Sequence, residues 1–242
     1  MHTKVLDHGF VALRNLAGPT RRSGTDNALL PNYGRLFDAD DRDPAQAARM
    51  SFDVTEERTA EEDHKLSRYL MKNWHTSPFE MVECWFEMKM PIFVARQFVR
   101  HRTAGINEVS GRYVTLPEEW YIPETVGGKA PSAKQGQEDN LPEYAQAAFK
   151  TDLDAACRDS YESYLWHMKQ GVAPEHARMF LHLNHYTHWL WKQDLHNMMH
   201  FLRLRDHSHA QIEAQLYAKA VDGHLRAHLP VSMALYDEYR RL

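Results

Sequence analysis

Thiols are scarce in this chain: its 242 residues include two cysteines, Cys84 and Cys157. That scarcity, with no secretory pattern, argues against a disulfide framework and for reduced, structural side chains. No apolar run approaches the ~20 residues that a membrane span needs. The start, MHTKVLDHGF, lacks the basic-then-apolar layout of a signal peptide. A soluble, cytoplasmic protein without a membrane partner is therefore expected. A basic excess is missing as well, since the net charge is -4 and the pI is near 6.5. No broad surface for nucleic acid follows from that balance, and any anionic ligand must be held by a local cluster of cations. Internal repeats and low-complexity tracts are also absent. What is present is a hydrophobic share of 43%, enough to bury one full core, and an unusual 16 histidines. One domain spanning 1–242 is expected.

Periodicity divides the chain into an early part with strands and a late part with helices. Lys4 to Arg14 alternates loosely before the Gly18-Pro19 turn and suits a first strand. A polar stretch runs from Arg21 to Asp43, and Asp43-Pro44 signals a short helix through Met50. Glu56 to Trp74 reads as an amphipathic helix with Leu66, Tyr69, Leu70 and Trp74 on one face. The clearest strand is Val82 to Met90, with Val82, Cys84, Phe86, Met88 and Met90 on one side and charged residues and Trp85 on the other. Pro91 ends it, helical spacing resumes from Ile92 to Arg102, and an extended piece is expected around Tyr113 to Tyr121. The span 123–140, rich in Gly, Pro, Lys and Gln, reads as a mobile surface loop. Beyond it four helices are expected, at Pro142–Gln170, Pro174–Trp191, Lys192–Arg205 and Ser208–His228, and a short one after Pro230. The pattern predicts an α+β fold with an antiparallel or mixed sheet and a large C-terminal helical part.

Chemistry concentrates in QFVRHRTAGINEVSGRY, residues 97–113, where Arg100, His101, Arg102 and Arg112 surround Asn107, Glu108 and Ser110. Adjacent cations at a helix end cannot be buried without partners, because an unpaired buried charge costs several kcal/mol. Arginine forks match phosphate oxygens bidentately, so a nucleotide phosphate suits them, with Asn107, Glu108 and Ser110 free to bond a sugar or base. A solvated basic helix end explains the same residues equally well.

The stretch RHRTAGINEVSGRY resembles the signature of flavin-dependent thymidylate synthases, RHRxxSxNExSxRY, with Gly105 where the pattern commonly has serine. That change removes a hydroxyl and is expected to loosen the loop backbone. AARMSFD at 47–53, HTSPFE at 75–80, PIFVARQ at 91–97, ARMFLHLNHYTHWLW at 177–191 and DLHNMMHFLRLRDHSHAQ at 194–211 resemble the family too.

The resemblance implies an enzyme that converts dUMP to dTMP with bound FAD, taking the carbon from methylenetetrahydrofolate and reducing equivalents from NADPH. It implies FAD contacts from Ser77, Arg100, His101, Arg102, Thr103, Glu108, Asp194, His196 and His200, with Ser51, His75 and Glu80 nearby. It implies a dUMP site of Gln97, Phe98, Val99, Arg100, Glu108, Val109, Ser110, Gly111, Arg112, Arg178 and Arg205. Arg205 is the expected catalytic residue, a fixed guanidinium that stabilises charge developing on the uracil ring. Neither cysteine suits a route that needs a thiolate, since Cys84 lies on an apolar strand face and Cys157 in a helix without an adjacent Pro-His pair. Ser110 has no evident His-Asp partner and reads as a ligand. With no GxGxxG turn, FAD is not expected in a Rossmann crevice. A homotetramer with sites shared between subunits is implied by analogy.

Two readings of other classes stand beside this one. His182, His185, His188, His196 and His200 recur at helical spacings that could ligate a metal, although a di-iron bundle needs two Glu-x-x-His motifs and only Glu61 with His64 supplies one. No metal is expected. A nonenzymatic nucleotide or RNA module could use Arg100, Arg102, Arg112, Arg203 and Arg205, and the acidic net charge counts against it.

Overall fold

The computed structural model describes residues 2–19, 39–52, 58–129 and 137–241, so most of the polar stretch expected from Arg21 lies outside the described residues. The first strand proves to be a hairpin: β1 (Thr3–Val5) and β2 (Gly9–Ala17) pair antiparallel. Leu6 in the turn takes φ 59°, a left-handed conformation that alternation does not reveal.

Next come α1 (Asp43–Arg49), α2 (Ala60–Lys72), α3 (Ser77–Glu80), β3 (Glu83–Pro91), α4 (Ile92–Phe98) and β4 (Gly105–Glu108). Thr59 and Glu62 form a reciprocal capping box that starts α2. The buried face of α2 is not the expected one. Asp63, Ser67, Leu70 and Met71 point inward, whereas Tyr69 and Trp74 are exposed. Asp63 is buried because it takes two cations, Arg42 at 2.7 Å and Arg49, and an unpaired carboxylate there would be costly. Helix α4 ends at Phe98, which leaves Arg100 to Arg102 outside it.

The expected extended piece at 113–121 is irregular chain, with one isolated bridge from Trp120 to His185. Within 123–140, β5 (Gly127–Lys129) and β6 (Gln137–Asn140) pair with each other, so part of the expected loop is a short ribbon. The long helix α5 (Glu143–Lys169) matches its expected bounds closely and packs Cys157, Tyr161 and Tyr164 with Trp120 and Ala177 in a small second core.

The largest departure follows. Only α6 (Pro174–Ala177) and a 3-10 turn at Arg178–Phe180 are helical where a helix through Trp191 is expected, and Tyr186–Asp194 is strand β7. Thr187, Trp189, Trp191 and Gln193 are buried while His188 and Leu190 are exposed. That is period-two alternation in a segment rich in aromatic and β-branched residues. The histidine spacing masks it in the sequence. Helices α7 (Leu195–Arg205), α8 (Ile212–His228) and α9 (Pro230–Tyr239) complete the chain.

The five-stranded sheet has the order β1-β2-β3-β7-β4, and every pair is antiparallel. The fold is α+β with an antiparallel sheet rather than a mixed one. On its covered face Val82, Cys84, Phe86, Met88 and Met90 are fully buried, as their alternation requires, and Phe98, Trp191 and Phe201 pack there as well. Among the described residues no helix is long and apolar enough to cross a membrane.

Candidate active site

Two groups of the expected residues come together, in different places. The first forms where α4, α7 and α8 converge. Arg205 Nε donates to His101 Nε2 at 3.1 Å and Arg205 Nη2 donates to the Gln97 carbonyl at 2.9 Å. Gln97 Nε2 in turn donates to Gln211 Oε1 at 2.7 Å. These contacts span more than 100 residues of sequence, so they exist only because α4 and α7 pack on one face of the sheet. His101 is buried, 5.1 Å from the Phe201 ring and 6.2 Å from the His200 ring. Burial, with Arg205 and His200 nearby, lowers its pKa to about 4. His101 is therefore neutral near pH 7, and Nε2 is the acceptor that the guanidinium needs. Burial alone pushes the Arg205 pKa down from its usual value.

His101 and His200 link this group to the first turns of α7. Asp194 caps α7 by accepting from the Asn197 amide at 2.8 Å, and this ties its carboxylate to the helix N-terminus. His196 and His200 line a cleft with Thr76, Phe79 and Trp74. Burial lowers the His196 pKa, opposed by Asp194 and Glu80. Ser77 opens α3, and Thr103 accepts from Gln193 Nε2 at 2.7 Å. Ser51 is exposed on a 3-10 turn.

The second group sits beyond edge strand β4. Glu108 accepts from the Thr187 hydroxyl, and the Val109 amide bonds the His188 carbonyl at 2.8 Å. The tyrosines of α5 pin the following turn: Tyr161 donates to the Leu116 carbonyl at 3.0 Å, and the Leu116 amide donates to Tyr164 at 3.1 Å. Gly111 is tightly enclosed, since a Cβ there would lie 3.1 Å from Leu116 Cδ1 and 3.5 Å from Arg178 Cδ. Arg178 thereby lies against Gly111, although 67 residues separate the two. Arg112 reaches Glu175 at 3.6 Å. No hydrogen bond, ion pair or ring contact among the described residues joins this group to the first. Of the remaining expected ligands, Phe98 is fully buried in the core and Val99 is exposed.

The donor set fits phosphate-bearing ligands. Among the described residues no carboxylate lies within ion-pair range of Arg100, Arg102, Arg178, Arg203 or Arg205. Arg205 spends two donors on His101 and the Gln97 carbonyl, while Arg100, Arg102 and Arg178 are exposed without acidic partners, and anionic oxygens would match their forks. Among the described residues no cluster of three or more His, Cys, Asp or Glu is placed to hold a metal ion.

Comparison with known proteins decides the family. Residues 35–231 match the family model described as thymidylate synthase complementing protein. The chain belongs to the flavin-dependent thymidylate synthase family. One relative of that name, from Gluconobacter oxydans, is 41% identical over 244 residues, covering 98% of this chain and 73% of its own length. Another, from Thermus thermophilus, is 45% identical over 209 residues, covering 86% of this chain and 76% of its own. A solved UMP/dUMP methylase, PolB from Streptomyces cacaoi, bound with 5-Br dUMP, superposes with a TM-score of 0.80 at 24% identity over 99% of both chains. That likeness shows the shared fold.

Gly105, the departure from the family signature, is not in a loose loop. It lies in β4, paired with Lys192, and a Cβ would meet Lys192 Cβ at an ordinary 4.0 Å. Gly105→Ser should fold normally, with a stability change within about 1 kcal/mol in a thermal melt. An unfolded variant would contradict this open environment.

The sequence reading omits Gln211 and Thr187 as partners of Gln97 and Glu108. Gln211 ends the family-like segment 194–211, which is the one signal that points to it. Nothing local marks Thr187.

Proposed function

We propose that this protein methylates dUMP to dTMP, with FAD as cofactor, methylenetetrahydrofolate as carbon donor and NADPH as reductant. Family membership supports the flavin and the substrate. The observation that carries the reading is Arg205, held on two edges by His101 and the Gln97 carbonyl while its Nη1 makes no hydrogen bond among the described residues.

A guanidinium fixed in this way cannot turn toward solvent when its substrate arrives, so its charge is preorganised. Against the pyrimidine it would stabilise negative charge developing on the ring, and the neutral His101 would keep it oriented. The forks of Arg100, Arg112 and Arg178 would take the dUMP phosphate, with Gln97, Glu108, Val109, Ser110 and Gly111 against sugar and base. Ser77, Arg100, His101, Arg102, Thr103, Glu108, Asp194, His196 and His200 would hold FAD. Bound there, the flavin would supply the hydride chemistry and the carbon relay. Because no bond among the described residues joins the two arginine groups within one chain, each would be completed by the other group of a second copy, in the implied homotetramer.

The cysteines have no part in this scheme. Cys84 is fully buried, and burial beside Asp194 and Glu83 raises its pKa well above the thiol range. Cys157 is buried against Asn184 and His182, and burial raises its pKa too. Both shifts disfavour the thiolate that addition to the ring requires. The double variant Cys84→Ala, Cys157→Ala should still make dTMP, and complete loss of product in a folded, FAD-loaded sample would revive a thiol route.

The reading itself is tested by incubating purified protein with FAD, dUMP, methylenetetrahydrofolate and NADPH while following flavin absorbance and dTMP. Product formation with dUMP-dependent flavin turnover is expected. A protein that never yields dTMP under these conditions sinks it.

A further inference from the structure

The end of α2 and the end of α9 meet at a contact to which no role has been given. Trp74 follows α2 with φ 62°, in the left-handed region that favours glycine. The His75 amide turns back to the Leu70 carbonyl at 3.0 Å, closing the helix and starting the turn that leads to Ser77. A large aromatic residue stays in that conformation only when its surroundings hold it there.

Arg240 does the holding. Its Cζ lies 3.2 Å from the centroid of the Trp74 ring, and its Nη2 donates to the Met71 carbonyl at 2.7 Å. It is 9% exposed, Nη1 has no hydrogen-bond partner, and among the described residues no carboxylate pairs with it. Burial, with Arg203 nearby, lowers its pKa. A buried cation balanced only by a ring face and a carbonyl oxygen is an expensive way to stop a helix. The arm that carries it is firmly placed, because Asp41 accepts from the Val231 and Ser232 amides at the start of α9 and Arg68 pairs with Glu238 at 2.6 Å. Arg240, Trp74 and Thr76 line the same cleft as His196 and His200.

We propose that Arg240 is a positioning residue for the flavin site: it clamps Trp74 and the Met71 carbonyl of α2, and so sets the turn from His75 to Ser77 against the histidines of α7. The proposal rests on the reading that Ser77, His196 and His200 contact FAD. Arg240 itself touches none of the reacting groups.

FAD titration of the full chain by flavin fluorescence tests it, with amide hydrogen exchange over residues 74–79 measured in the absence of FAD. Arg240→Ala should raise the Kd for FAD about tenfold and speed exchange in that segment, and Trp74→Leu should do the same. The double variant should be no worse than either single one, because the two side chains act as one unit. Arg240→Lys should recover part of the affinity, since an ammonium can still sit over the ring. A folded Arg240→Ala protein with parental FAD affinity, or additive losses in the double variant, overturns the proposal. Should Arg240→Ala not fold, Trp74→Leu and Arg240→Lys carry the comparison. If the parent protein binds no FAD, the flavin reading falls first and exchange alone decides the clamp: faster in Arg240→Ala upholds it, unchanged overturns it.

Discussion

Arg205→Ala should lower kcat/KM for dTMP formation by about 10²–10³ while the protein stays folded. The size follows from what is removed, a charge held in place before the substrate binds by hydrogen bonds to His101 Nε2 and the Gln97 carbonyl. Arg205 ends α7, is half-buried and lies outside the apolar core cluster, so the loss should fall on turnover more than on stability. Arg205→Lys keeps the charge and loses the fork that reaches both acceptors, and should recover only a part. Removing the guanidinium should also let the His101 pKa rise, because Arg205 is one cause of its depression. Steady-state kinetics beside circular dichroism checks this, and parental turnover in Arg205→Ala would take Arg205 out of the mechanism.

The second large effect is on stability against acid. His101 and His185 are both buried, and their folded pKa values are lowered to about 4 from an ordinary 6.5. For His185 burial is the main cause and Lys89 adds to it, while Glu119 opposes. Between those values the unfolded chain binds protons that the folded chain does not, so stability falls as pH drops from 6.5 toward 4 and is fully present above 6.5. Allowing for solvent at the ring edges, each group contributes about 2 kcal/mol of that loss. Urea unfolding at a series of pH values should show the slope, and His185→Phe, which keeps the stacking on Tyr161, should make it shallower while His101, His196 and His224 keep their share. An unchanged slope in that variant would mean that His185 takes up its proton without unfolding.

These two effects draw on different levels of legibility. The alternation from Val82 to Met90 and the helical character of α2 and α5 are local patterns, set by neighbours within a few residues, and they read directly, whereas the buried face of α2 does not. The cationic cluster at 100–112 reads as well, because it matches the family signature at fixed positions. Strand β7 does not: Trp189, Trp191 and Gln193 alternate as a strand, but the surrounding histidines also satisfy helical spacing, and the sheet resolves the ambiguity by supplying β3 and β4 as partners.

The sequence by itself determined the family and the central strand, and it marked out the arginine-rich run at 100–112. Tertiary structure alone decided that Arg205 rests on His101, that Arg178 reaches Gly111, and that Arg240 lies over Trp74. Those pairs are separated by 67 to more than 160 positions, and contacts at such range depend on how whole elements pack, a quantity that no local pattern of residues encodes.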